Sequence, residues 1–228
     1  MSQNACVLVS GGVESAVLLH EARRRHSRAT PLYVKCGLRW EEAELFWLRR
    51  LLKHRSFSGV NPLQILAIPM RAIYGRHWSV TGDGVPGASS KDAAVYLPGR
   101  NIIFLSQAAV YAAIHRISVI EIGVLAGNPF PDSSLQFFNQ MATSLSQGLG
   151  SRFQIRAPFR KSNKKNILQK GINYQLPLEL TFSCINPKKR IHCGVCNKCA
   201  ERQKAFVKAG IHDRTKYFHW INVIPASS

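Results

Sequence analysis

Cys184, Cys193, Cys196 and Cys199 follow a C-x8-C-x2-C-x2-C spacing. Two residues between cysteines let neighbouring thiolates face one ion from a tight turn, and Gly194 supplies the flexible backbone such a knuckle needs. Four thiolates without another ligand form a closed tetrahedral set, which is the chemistry of a structural zinc ion. An iron–sulfur cluster uses the same ligands, but no redox partner motif accompanies them here, and zinc is the reading. Structural zinc contributes on the order of 10 kcal/mol of folding free energy. Nearby Lys188, Lys189, Arg190, His192 and Lys198 favour ionised thiolates.

A second group is Ser10-Gly11-Gly12-Val13-Glu14-Ser15, directly after the apolar run Val7, Leu8, Val9. Strand, glycine turn and helix in that order aim backbone N–H groups at phosphate. Ser10 and Ser15 offer hydroxyls, and Gly11 and Gly12 let the backbone close on phosphate oxygens, so a side chain at Gly11 is expected to occupy the phosphate's place. The pattern lacks the Gly-Lys-Ser/Thr of a Walker A loop and the spacing of a dinucleotide fingerprint.

The elements that must position these groups alternate. Residues 5–10, 31–35, 63–68, 118–124 and 153–157 read as strands, and residues 13–25, 41–53, 102–114, 133–147, 161–170 and 198–208 as helices. Spacing of this kind implies βαβ units and a parallel sheet covered on both faces. Arg23, Arg24 and Arg25 read as a solvated helix end suited to the negative pole of the helix dipole. The helix over 102–114 is apolar nearly all round and is expected to be buried. Residues 71–99, broken by glycine and proline, form a long loop of the kind that is functional or mobile. The terminal Ala226, Ser227 and Ser228 read as frayed.

At 228 residues the chain can bury one full core with a small appendage. Thirty-one Lys and Arg against 12 Asp and Glu give a formal net charge of +19, a field that favours polyanions such as nucleotides or nucleic acid. No secretory signal and no apolar run near the roughly 20 residues of a bilayer span are visible. Cys6 and Cys36 sit singly in strand-like runs. With the other four clustered, cysteine usage points to a reducing, cytoplasmic compartment.

Further motifs join the phosphate loop. Pro98-Gly99-Arg100-Asn101 precedes an apolar helix, Leu180-Thr181-Phe182-Ser183-Cys184 leads into the cysteine cluster, and Arg202 and Ala205-Phe206 follow it. In this order, nearly end to end, the chain resembles the 7-cyano-7-deazaguanine synthase (QueC) family of PP-loop ATP pyrophosphatases. The resemblance implies an α/β, Rossmann-like adenine nucleotide alpha hydrolase fold over residues 1–180, with a zinc-binding segment over residues 181–228 packed on it. It implies ATP-dependent conversion of 7-carboxy-7-deazaguanine and ammonia to the nitrile, with Mg2+ accompanying ATP and one structural Zn2+ held by the four cysteines. By resemblance, Ser10, Gly11, Gly12, Val13, Glu14 and Ser15 hold ATP, and Lys164 and Arg100 are catalytic. Arg39, Arg100, Asn101 and Asp132 contact substrate on the same ground.

The chain departs from the family pattern at informative places. The loop's aspartate is Glu14, one methylene longer. The Y-G-x-R-H element is Cys36-Gly37-Leu38-Arg39-Trp40, and the K-x-E glutamate is Asn166. The aromatic turn after the fourth strand is Ala126-Gly127-Asn128-Pro129-Phe130-Pro131-Asp132-Ser133-Ser134, which keeps only the Pro-Asp pair. Two other readings therefore stand beside the synthase. One is a related ATP pyrophosphatase adenylating a different carboxylate, on a small molecule or a peptide. The other is a basic tRNA-modifying PP-loop enzyme, although Cys6 and Cys36 form no convincing catalytic pair. A homodimer is compatible with either, and nucleic acid is an admissible partner but not a required one.

Overall fold

Central strand β1 (Asn4–Leu8) is apolar over Ala5, Cys6, Val7 and Leu8, all buried, as a parallel strand covered on both faces must be. In the computed structural model, which describes residues 3–219, it is flanked by β2 (Arg28–Lys35) and β4 (Val119–Glu121). Edge strands β3 (Gln64–Ala67) and β5 (Gln154–Arg156) complete an all-parallel sheet of order β3-β2-β1-β4-β5. The expected five strands are present, four of them shorter than expected and β2 longer, since it begins at Arg28. The expectation about Ala226, Ser227 and Ser228 lies outside the described residues.

Side chains alternate between two cores. Cys6, Leu8, Leu32 and Val34 face one side with α5 (Arg100–Ile114) and α6 (Leu135–Gly148). Val7, Val9 and Tyr33 face the other, with α1 (Val13–Arg25), α2 (Glu41–Leu52), α7 (Lys164–Asn173) and α8 (Asn197–Ala209). The chain leaves β1 toward β2 on one side, and β4 lies on the other. A crevice therefore opens at the carboxyl end of β1, where open α/β sheets bind ligands.

Helix α5 corrects the expectation of all-round burial. Leu105, Ala108, Ala109 and Ala112 are buried, while Ile102, Val110 and Ile114 are exposed. Small alanines on the inner face let the helix approach the sheet closely, and the outer face stays apolar but open. Helix α7 begins three residues later than expected because Asn163 caps it, accepting from the Asn166 N–H at 2.9 Å. Ser134 caps α6 in the same way.

The cationic end of α1 is more than a solvated face. Arg25 and His26 both bind Glu121, a buried carboxylate in β4, at 2.8 and 2.9 Å. The pair pins the end of α1 to the sheet and neutralises a charge that burial would otherwise make costly. Residues 71–99 are likewise tethered. They contain two single turns of helix, α3 (Arg71–Tyr74) and α4 (Trp78–Thr81). The Asn197 N–H donates to Pro86 O and its Nδ2 to Ser90 O, both at 2.9 Å. No helix among the described residues is long and apolar enough to cross a membrane.

Residues 181–219 share these cores. Phe182 and Cys184 belong to the first, and Ala205 and Phe206 to the second. Arg202 is fully buried and joins three stretches of chain. It donates to Thr181 Oγ1 at 2.8 Å, Leu178 O at 2.9 Å and Thr215 Oγ1 at 2.8 Å, and faces Asp213 at 3.5 Å. Its guanidinium also lies over the Phe206 ring. Replacing it strands a buried carboxylate and several acceptors, which typically costs about 3–5 kcal/mol. Arg202→Ala should therefore lower stability by about 3 kcal/mol in chemical denaturation, with residues 178–215 losing amide-exchange protection first.

Candidate active site

The phosphate-binding candidate lies at the carboxyl end of β1, as the fold requires. Gly11 adopts φ +80°, and Gly12 starts α1 without any side-chain cap, so the first N–H groups of the helix face the crevice uncapped. The loop is braced internally. Ser10 N–H donates to Ser15 Oγ, Gly12 N–H donates to Ser10 Oγ (both 3.3 Å), and Ser15 Oγ donates to Gly12 O at 3.0 Å. From outside it is held by Phe182, whose N–H donates to Gly11 O at 2.8 Å.

The two glycines are needed for different reasons. A Cβ at Gly11 would point at α2, meeting Leu48 Cβ at 3.4 Å and Glu44 O at 3.6 Å in ordinary contact. The left-handed backbone is what requires glycine there. A Cβ at Gly12 would meet Ser10 Oγ, Glu14 Oε2 and Phe182 O at 3.4–3.7 Å, which is the mouth itself.

Charge at the mouth runs in a chain. The Lys164 ammonium pairs with Glu14 Oε1 and reaches Glu201 Oε1 at 3.2 Å, and Lys198 binds Glu201 Oε2 at 2.7 Å. Burial works against the Lys164 charge, but the Glu14 and Glu201 carboxylates outweigh it and hold the ammonium above its ordinary pKa. Burial would raise Glu201, yet Lys164 and Lys198 pull it down to about 2. The added methylene of Glu14 thus reaches Lys164. Asn166, in the place of the K-x-E glutamate, offers its N–H to Asn163, while α8 supplies a carboxylate for the lysine through Glu201.

Beside the loop is a cavity of ≈ 220 Å³ lined by strand ends, Glu41, Glu44, Tyr96, Arg100, Asn101, Phe130 and Asp132. Arg100 lies over Phe104 at 5.0 Å, and its Nε is buried without a hydrogen-bond partner. Asn101 and Asp132 are bound to each other: the Asn101 N–H donates to Asp132 Oδ2 at 3.0 Å and its Nδ2 to Asp132 O at 2.9 Å. That pair fixes the start of α5, and with it Arg100. Arg39 lies outside the cavity lining and donates to Asn186 Oδ1 at 3.1 Å and Thr81 O at 3.4 Å, joining the long loop to the cysteine segment.

The sequence reading does not select Glu44 or Glu201. Glu44 is buried, and burial lifts it to about 7 against the pull of the Arg100 guanidinium and the Tyr33 hydroxyl. Its signal is an acid at the fourth position of an otherwise apolar helical stripe. Glu201 sits between Cys199 and Arg202, where motif spacing draws the eye to its neighbours. Cys6 and Cys36 are buried thiols pushed up to about 12 and about 11, Cys6 by burial alone and Cys36 by burial with the Glu41 charge. They are unsuited to nucleophilic chemistry near neutrality.

The four cysteines converge. Their Sγ atoms all lie within 4.8 Å of one another, with Cys184–Cys196 and Cys193–Cys199 at 3.9 Å. An ion bonded to four sulfurs at about 2.3 Å sets their edges near 3.8 Å. The Cys193 and Asn186 N–H groups donate to Cys184 Sγ, and the Cys196 N–H to Cys193 Sγ, all at 3.3 Å, as thiolate ligands require. Gly194 takes φ +88° to make the knuckle. The donor set fits a tetrahedral metal ion.

The sequence model of the queuosine biosynthesis protein QueC matches residues 4–210. A 7-cyano-7-deazaguanine synthase 1 from Desulfitobacterium hafniense (strain Y51) is 34% identical over 209 residues, covering 90% of this chain and 92% of that protein. A 7-cyano-7-deazaguanine synthase from Picrophilus torridus is 32% identical over 229 residues, covering 95% and 92%. Among solved structures, NMN synthetase from Francisella tularensis superposes with a TM-score of 0.51 at 13% identity, over 92% of this chain and 79% of that one. A 4-thiouridine synthetase in an RNA complex with bound ATP gives 0.50 at 16% identity, over 91% of this chain and 50% of that one. These two likenesses show the fold alone. With the matched span running from β1 through α8, the chain belongs to the QueC family of queuosine biosynthesis proteins.

Proposed function

We propose that this chain is a cytoplasmic ligase that converts 7-carboxy-7-deazaguanine and ammonia to 7-cyano-7-deazaguanine with ATP, for queuosine biosynthesis. The observation that carries the reading is the convergence of residues 10–15, Lys164 and Arg100 at one crevice in a chain of this family. In this reading residues 1–180 supply the nucleotide chemistry and residues 181–228 the metal-held closure. The zinc ion, bound by Cys184, Cys193, Cys196 and Cys199, supplies folding stability and no chemistry. Mg2+ is the expected counter-ion of ATP.

A carboxylate resists attack by ammonia because its leaving group would be oxide. Its oxygen attacks the α-phosphorus of ATP, and pyrophosphate leaves. Ammonia then attacks the acyl carbon, AMP departs, and an amide forms. Activating the amide oxygen with a second ATP lets loss of AMP and protons give the nitrile. Catalysis here is positioning and charge stabilisation. The N–H groups and hydroxyls of Ser10, Gly11, Gly12, Val13 and Ser15 cradle departing pyrophosphate, and Lys164 meets its charge, with Glu14 holding the lysine in place. Arg100 receives the substrate carboxylate, and Asn101 with Asp132 positions Arg100.

A second reading, a family member acting on another carboxylate, draws support from the turn at 128–134. Asn128 Oδ1 there accepts from the Phe130 N–H at 3.0 Å and from Ser133 Oγ at 3.1 Å, closing the turn on itself. The high pKa values of Cys6 and Cys36 weigh against a tRNA-thiolating role.

Incubating the protein with ATP, Mg2+, ammonium and 7-carboxy-7-deazaguanine should give amide and nitrile products by mass spectrometry. Absence of both sinks the synthase reading, and pyrophosphate release that needs an acidic peptide favours the second. Lys164→Ala should lower kcat/KM for ATP by about 10²-fold with zinc content unchanged. Gly12→Val should abolish ATP binding in a folded protein, whereas Gly11→Val should first lower the melting temperature. Elemental analysis should find one zinc per chain. Its removal by a chelator should cost ATP affinity as well as C-terminal order, because Phe182 braces Gly11.

A further inference from the structure

Two acidic residues of α2 line the cavity, and their situations differ. Glu41 is used by the backbone, its Oε1 accepting from the Cys36 N–H at 2.6 Å and its Oε2 from the Gly37 N–H at 2.9 Å. Glu44 is equally buried, but Oε2 alone is engaged, by the Tyr33 hydroxyl at 2.6 Å. Among the described residues Oε1 of Glu44 takes no hydrogen bond. A carboxylate so placed has one oriented acceptor to offer to whatever occupies the cavity.

The rest of the cavity says what would meet it. Tyr96 and Phe130 stack at 5.0 Å, and Leu8, Leu32, Val34, Ile122 and Val124 make apolar walls, a setting for a planar ring. Arg100 brings a guanidinium with an unpartnered Nε to the same space. Asn101 and Asp132 are committed to each other and Glu14 to Lys164, which leaves Glu44 and Arg100 as the charged pair facing a ligand. A ligand suited to both carries N–H donors on one edge and an anionic group elsewhere on the ring system.

Resting on the synthase reading, we propose that Glu44 is the specificity-determining carboxylate of the acceptor subsite. Its Oε1 accepts from the ring N–H and exocyclic amine of a 2-amino-4-oxo-pyrrolopyrimidine, while Arg100 takes the ring's carboxylate. Tyr33 is a positioning residue that fixes the Glu44 carboxylate. The chemistry selects against the adenine of ATP. Adenine presents an amine beside a bare ring nitrogen, and that lone pair would face a carboxylate oxygen. The amino-lactam edge presents donors side by side. A site built on such donors rejects an analogue lacking one far more strongly than an apolar pocket rejects a missing methylene.

The test uses full-length, zinc-loaded protein and calorimetric titration with 7-carboxy-7-deazaguanine, its analogue without the 2-amino group, and a non-hydrolysable ATP analogue. Glu44→Gln should weaken binding of 7-carboxy-7-deazaguanine by about 10- to 100-fold and leave the ATP analogue within twofold. The compound without the 2-amino group should bind the unsubstituted protein weakly and lose little more in Glu44→Gln. Tyr33→Phe should weaken the substrate a few-fold and spare the ATP analogue, and it decides the matter should Glu44→Gln fail to fold. Unchanged substrate binding in the folded variants, or a loss falling on the ATP analogue, overturns the subsite alone when the unsubstituted protein still makes nitrile. If the unsubstituted protein neither binds nor converts 7-carboxy-7-deazaguanine, the synthase reading falls and takes the subsite with it.

Discussion

Four sulfur atoms within 4.8 Å of one another force residues 184–199 into a knuckle, and the walls of the crevice depend on that knuckle. On one side it presents Phe182 to Gly11, and on another it holds Pro86 and Ser90 through Asn197. From its end springs α8, which carries Glu201 to Lys164 and Arg202 into the core. As thiolates, sulfurs this close would repel one another, and a metal ion bound among them would balance their charge. The cysteine segment is in this sense part of the crevice wall.

The charge pattern inside the crevice differs from that of the surface. A chain with formal net charge +19 spends few acids, yet several lie around this one site. Glu14 and Glu201 share Lys164, Glu41 ties down the turn after β2, Glu44 waits in the cavity, and Asp132 holds Asn101. Held between two carboxylates, the Lys164 ammonium is fixed in space, so a ligand meeting it would find it already ordered. The basic exterior draws anions in, and the internal acids decide where the cations stand.

Much of the fold was legible because hydrophobic period and glycine placement are local signals. The glycine turn after β1, the start of α1 and the cysteine set all follow from neighbours a few residues apart. The burial of α5 was misread because its apolar outer residues, Ile102, Val110 and Ile114, look the same in sequence as inner ones. The role of Gly11 was misplaced because the direction of a missing Cβ depends on where α2 lies. Arg25 read as solvated since its partner Glu121 stands 96 residues away. Glu44 and Glu201 escaped notice for the same reason: an acid acquires its meaning from partners on other elements, and those are fixed only when the sheet closes.

The hydrogen bond from the Phe182 N–H to Gly11 O also bears on the order in which the protein is made. The loop at residues 10–15 leaves the ribosome long before the brace that reaches it from Phe182. A nascent chain can form β1, α1 and β2 from contacts already in hand, yet the turn between β1 and α1 lacks its outside brace until the segment leading to the cysteines has emerged and folded back. A product truncated before Phe182 would carry the turn at residues 10–15 without the brace that holds it from outside.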